Sequence, residues 1–191
     1  KRGAFYENSG VVRDMIQNHL LQLLTMVAME PPASMDADSL RDKKVEVLKA
    51  IRHWAPGEIA RHAVLGQYRG YREEDGVAPD SNTATYAALR FYVDNWRWQG
   101  VPFYLTSGKR LGKKLTEIVI QFKEVPHSMF RQTIGEHITA NRLILGIHPD
   151  EKISLTFQTK NPGARLCLRS VTMDFNYNQN YIGPVLDAYE K

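Results

Sequence analysis

Two short stretches of this chain carry residue types suited to chemistry. The first is Arg13-Asp14-Met15-Ile16-Gln17-Asn18-His19, an acid, two amides and an imidazole at the head of a strongly apolar run from Leu20 to Met29. Burying such groups costs several kcal/mol unless they are hydrogen-bonded or have a task. Such side chains either lie solvated at the rim of the core or line a site. On an α-helix five residues turn through about 500°, so Asp14 and His19 point about 140° apart and cannot form a hydrogen-bonded dyad. They can flank a ligand lying against the helix start. Spacing leaves a second reading open: an acid favoured by the helix dipole, and a histidine satisfied at the core edge.

The second stretch is Ser107-Gly108-Lys109-Arg110-Leu111-Gly112-Lys113-Lys114, directly after the apolar segment 101–105. Four cations in six residues, with two glycines, make a cradle for a phosphate or other polyanion, although a solvated basic turn has the same composition. It is not a P-loop, because Phe103 stands where the first glycine would be needed and no Ser or Thr follows the lysine. His53, His62, His127 and His137 lack metal-ligand spacing, and no HExxH, CxxC or EF-hand pattern occurs, so no metal site is expected. Neither GxSxG nor GxGxxG is present, and Cys167 sits in a strand pattern as a small packed side chain. Aromatic residues are plentiful, yet they alternate with acids and form no RNP-type pattern, so nucleic acid is not an expected partner.

The elements that must hold these stretches follow from periodicity. Apolar residues at 12, 15, 16, 20, 23, 24 and 27 predict a helix over 11–29, with Ser9 as cap and Pro31-Pro32 as its stop. A second helix is predicted over 39–53, capped by Ser39, and the polar stretch 68–82 reads as an exposed loop. The period then changes to two: 85–94, with Ala87, Leu89, Phe91 and Val93 on one side, then 101–105, 116–123, 143–147, 152–159 and 166–177. Strands joined by short polar turns imply an antiparallel sheet, and polar alternate positions leave one of its faces wet or bound to a partner. The expected class is α+β, a large and mostly antiparallel sheet with helices packed on one face. The domain expectation is one, spanning 1–191, with helices at about 11–53 and strands at about 63–177. The segment 182–191 begins like a helix and stops, as a piece of a longer chain would.

Bulk properties agree with a soluble globular protein: 191 residues, 43% hydrophobic, 24% charged and a net charge of +4. One cysteine excludes an internal disulfide and favours a reducing, cytoplasmic home. The longest apolar run is too short to span a bilayer, and the first residues have no signal-peptide pattern, so no membrane association is expected.

The segments RDMIQNHLLQLLTMVAMEPP, VLGQY, NWRWQGVPFYLTSGKRL and HPDEKISLTFQTKNPG together resemble the C-terminal part of glucose-6-phosphate dehydrogenase, collinearly from about Arg2 to Tyr189. The resemblance implies an oxidoreductase that converts glucose 6-phosphate to 6-phosphogluconolactone in the oxidative pentose phosphate pathway, with hydride passing to NADP. By it, His19 matches the general base, Asp14 an acid that binds sugar hydroxyls, and Lys109 and Lys114 two cations beside the substrate. His148 stands at a sugar-contacting position where the family usually has Gln, and Thr106 replaces a common Arg. Leu115, Val119, Gly146 and Thr156 occupy positions that supply a second, structural NADP site in some members, so that site is expected to be absent. NADP would be bound mainly by an N-terminal Rossmann domain outside this chain, which makes the isolated chain inert. The resemblance also implies a homodimer formed through the sheet. The alternative is a non-catalytic oligomerisation or phosphosugar-binding module derived from the same enzyme.

Overall fold

The computed structural model describes residues 2–125, 138–163 and 167–180. The expected helix start at 182 and two of the isolated histidines, His127 and His137, lie outside these residues. The chain divides into two compact units, Lys1–Leu111 and Gly112–Lys191.

In the first unit, helix α1 (Arg2–Val11) leads into a π-helix (Val12–Leu20), followed by α2 (Leu21–Ala28) and α3 (Ala37–Lys49). A single 3-10 turn (Pro56–Glu58) and α4 (Ile59–His62) precede a three-stranded sheet. Its strands β1 (Ala63–Gly66), β2 (Tyr86–Tyr92) and β3 (Pro102–Gly108) pair antiparallel in that order. The period-two face of β2 is buried as expected: Ala87 and Val93 are fully enclosed and Leu89 nearly so. These residues meet Ile16, Leu24 and Val47 from the helices, which forms the core of this unit.

The predicted helix over 11–29 differs in three ways. It begins as a π-helix, in which Leu21 N–H reaches back to Ile16 O, five residues earlier. Ser9 is not its cap; Ser9 Oγ instead donates to Phe5 O within α1 at 3.2 Å. Gly10 breaks the path with φ 61° and ψ 172°, and the freed Val11 N–H pairs with Ala84 O at 2.9 Å. Val12, assigned to the buried face by an α-helical period, consequently lies exposed. The cap of α3 is Asp36 rather than Ser39. Its carboxylate accepts from the backbone N–H groups of Asp38 and Ser39, and bonds from the Ser34 hydroxyl and from Ser39 hold its pKa well below the usual carboxylate range. α3 stops at Lys49 rather than at His53, because Ile51 bridges to Val93 and Arg52 N–H donates to Tyr92 O.

Residues 68–82 are a loop, exposed over most of their length as expected, with two anchors that their polarity did not reveal. A 3-10 turn (Tyr71–Glu73) drives Tyr71 into the core, and Ser81 is also buried. Both hydroxyls donate to Glu7 Oε2 on α1, each at 2.9 Å. These two bonds tie the stretch to α1, which composition cannot reveal.

The second unit is a four-stranded antiparallel sheet, β4 (Thr116–Gln121), β5 (Arg142–His148), β6 (Lys152–Lys160) and β7 (Leu168–Asn176), in that order. One helical turn, α5 (Tyr177–Asn180), follows. Cross-strand register aligns Ile118, Leu145, Ile153 and Phe175 on one face, with Ile120, Leu143, Leu155 and Met173 beside them. The opposite face carries Gln121, Arg142, Thr156 and Thr172. Ser154 donates to Asp174 there, and the Thr156 and Thr172 hydroxyls bond at 3.0 Å. The antiparallel arrangement expected from the strand pattern is thus present, divided between two sheets.

Candidate active site

Asp14 lies on the first turn of the π-helix and His19 on its last. The wider turn of i→i+5 bonding rotates fewer degrees per residue, so the two side chains diverge less than α-helical geometry would set them. His19 is exposed, whereas the Asp14 carboxylate is mostly covered.

Lys109 arrives from the end of β3. Gly108 pairs with Tyr86 at so close a distance that a Cβ would lie 2.7 Å from the tyrosine ring, which requires glycine here. Lys109 N–H then donates to Thr85 O at 2.9 Å, and Arg110 turns the chain with φ 55°. This backbone course sends the Lys109 ammonium to Asp14 Oδ2 at 3.3 Å, an ion pair across 95 positions of sequence. The same nitrogen stands 4.8 Å from the centre of the Tyr6 ring. Burial first, then the Asp14 carboxylate, push the Tyr6 hydroxyl up to about 12.

Arg110 repeats the arrangement one residue later. Its guanidinium stacks 4.8 Å from the Tyr68 ring centre and donates to Glu74 Oε1 at 2.8 Å, an oxygen that also accepts from the Tyr68 hydroxyl. The three rings of Tyr6, Tyr68 and Tyr71 with Glu74, Lys109 and Arg110 line a cavity of about 350 Å³. The stretches that sequence singled out, 13–19 and 107–110, therefore meet in one unit through Asp14 and Lys109. Tyr6, Tyr68 and Glu74 were missed, and no spacing in the sequence points to them.

Lys114 and His148 belong to the second unit, both exposed. Thr116, two positions after Lys114, pairs with His148 at the start of β4, so these two candidates stand at one end of the same sheet. Among the described residues no three of His, Cys, Asp and Glu cluster as metal ligands, and no helix is long and apolar enough to cross a membrane. Every described strand pairing is antiparallel, so a βαβ crossover of the kind that aims a helix start at a pyrophosphate is not found among the described residues.

Over residues 1–191 the chain matches the family model described as glucose-6-phosphate dehydrogenase, C-terminal domain. It is 48% identical to glucose-6-phosphate 1-dehydrogenase of Aggregatibacter actinomycetemcomitans, with all of this chain and 40% of that protein covered. The crystal structure of glucose-6-phosphate 1-dehydrogenase from Mycobacterium avium is 44% identical, with a TM-score of 0.82 over 92% of this chain and 37% of its own. A glucose-6-phosphate dehydrogenase solved in complex with its substrate glucose 6-phosphate is 37% identical, with a TM-score of 0.83 over 94% of this chain and 37% of its own. The chain spans well under half the length of each of these proteins.

Proposed function

The chain belongs to the glucose-6-phosphate dehydrogenase C-terminal domain family, and we propose that it supplies the general base and part of the sugar-phosphate site of a parent enzyme that oxidises glucose 6-phosphate to 6-phosphogluconolactone. The meeting of Asp14 with Lys109 carries this reading. Asp14, which can flank a ligand at the helix start, and Lys109 of the anion cradle come within 3.3 Å of each other, an arrangement that suits one polyhydroxylated anionic ligand.

In this reading Asp14 accepts hydrogen bonds from sugar hydroxyls. Lys109 and Lys114 give charge-assisted contacts to the phosphorylated sugar, and His148 adds a contact to it. Neutral His19 takes the proton of the C1 hydroxyl as the C1 hydrogen departs with its electron pair, which leaves a C1 carbonyl. Its exposure then lets that proton pass to water. NADP supplies the hydride acceptor when bound, and its site lies in the parent chain outside these residues. One family model spans both compact units, which supports reading 1–191 as a single domain of that parent.

We also infer a cytoplasmic homodimer joined through the sheet. The apolar rows of the second unit support it, with Met173 62% and Phe175 45% exposed; a monomeric sedimentation mass of the parent enzyme would count against it. The central test is His19→Asn in the parent enzyme. Glucose 6-phosphate binding by calorimetry should persist while kcat falls by roughly 10²–10⁴, the range for a lost general base. Unchanged turnover would remove His19 from that role.

A further inference from the structure

Adjacent cations at the end of β3 are each laid on a tyrosine ring and each tied to an acid: Lys109 on Tyr6 with Asp14, Arg110 on Tyr68 with Glu74. A lysine ammonium on a four-carbon stem explores many rotamers, and fixing it for a ligand loses that freedom. An aromatic face under the cation and a carboxylate beside it restrict those rotamers before a ligand arrives. Tyr6 suits this task, since its side chain is almost wholly buried and its ring cannot swing away. The backbone is restrained as well. Arg110 adopts a left-handed conformation (φ 55°) that non-glycine residues rarely take, and its side chain is the anchor on the 68–74 segment.

We propose that Tyr6, Tyr68, Glu74 and Arg110 are positioning residues for Lys109: the Tyr6 ring restricts the ammonium, and the Tyr68–Glu74–Arg110 clamp holds the turn that delivers it. This rests on the reading of Lys109 as a contact for the phosphorylated sugar. None of the four need touch the reacting atoms. Their loss should therefore weaken substrate binding and leave the chemical step in place, a split between KM and kcat that general damage to the fold does not produce.

The test uses the full-length parent enzyme with glucose 6-phosphate as the varied substrate. Tyr6→Leu removes the ring and should raise KM roughly threefold to thirtyfold, with kcat within about twofold. Tyr6→Phe keeps the ring and should leave KM close to that of the unmodified enzyme. Glu74→Gln cuts the anchor of Arg110 outside the core and should raise KM in the same direction by a smaller factor; it decides the matter alone if Tyr6→Leu does not fold. Lys109→Ala is measured beside them. If it raises KM while Tyr6→Leu and Glu74→Gln leave KM unchanged, or lower kcat at constant KM, the positioning role is overturned and the site assignment stands. If Lys109→Ala itself leaves KM unchanged, both are overturned.

Discussion

Tyr6 faces two ways energetically: its hydroxyl is buried, with no hydrogen-bond partner among the described residues, while its ring lies under the Lys109 ammonium. Deprotonation would put a second negative charge beside Asp14 in a dry place, which is why the hydroxyl is pushed up to about 12. An unfolded tyrosine titrates near 10, so above that pH the folded chain holds a proton that the unfolded chain has released. The contribution to stability is therefore complete below pH ~10 and is lost as pH rises toward the folded value. Urea denaturation at rising alkaline pH should show stability falling, and falling less steeply in Tyr6→Phe. Tyr71, also raised by burial and by its bond to Glu7, accounts for the remaining slope. An equal slope in the variant would refute the assignment. Residue type and spacing marked Asp14, His19 and the basic turn holding Lys109 as candidates with a structural reading left open, whereas an aromatic residue on a helix reads as core filling. Only its placement under an ammonium distinguishes Tyr6.

At the scale of the element, the π-helix separates expectation from structure. The sequence of 11–29 has helical periodicity, and that pattern alone gives the α-helical angle that sets Asp14 and His19 apart. The break at Gly10, with Val11 N–H paired to Ala84 O, changes where the helix begins. The wider turns that follow reduce the angle between the acid and the imidazole. Gly10 occupies a backbone region essentially reserved for glycine, although a Cβ there would find room, with its nearest neighbour at 3.5 Å. Gly10→Ala should therefore destabilise the first unit by about 1–3 kcal/mol through backbone strain rather than collision. It should also lower kcat in the parent enzyme by shifting Asp14 and His19. A denaturation midpoint indistinguishable from that of the unmodified chain would show that the break carries no strain. Within residues 68–82 the buried anchors Tyr71 and Ser81 were illegible for a related reason, because both are satisfied by Glu7 from far away in sequence.

For the molecule as a whole, every strand pairing among the described residues is antiparallel. The crossover by which a doubly wound sheet aims a helix start at a dinucleotide's pyrophosphate is not among them. The purified 191-residue chain, given glucose 6-phosphate and NADP, should produce no NADPH by absorbance. Measurable turnover would show that this chain can hold the hydride acceptor after all. The same chain should retain weak binding of glucose 6-phosphate through Asp14 and Lys109.

The sequence by itself determined the α+β class, the antiparallel strands, the buried face of β2 and the two stretches able to do chemistry. Those features depend on residue type and on periods of two or a few residues, which are local quantities. Tertiary structure decided that Asp14 meets Lys109, that a π-helix narrows the angle between Asp14 and His19, and that two tyrosines and Glu74 hold the basic turn. Each of these joins residues far apart in the chain or follows from one backbone break, and short-range spacing carries no information about either.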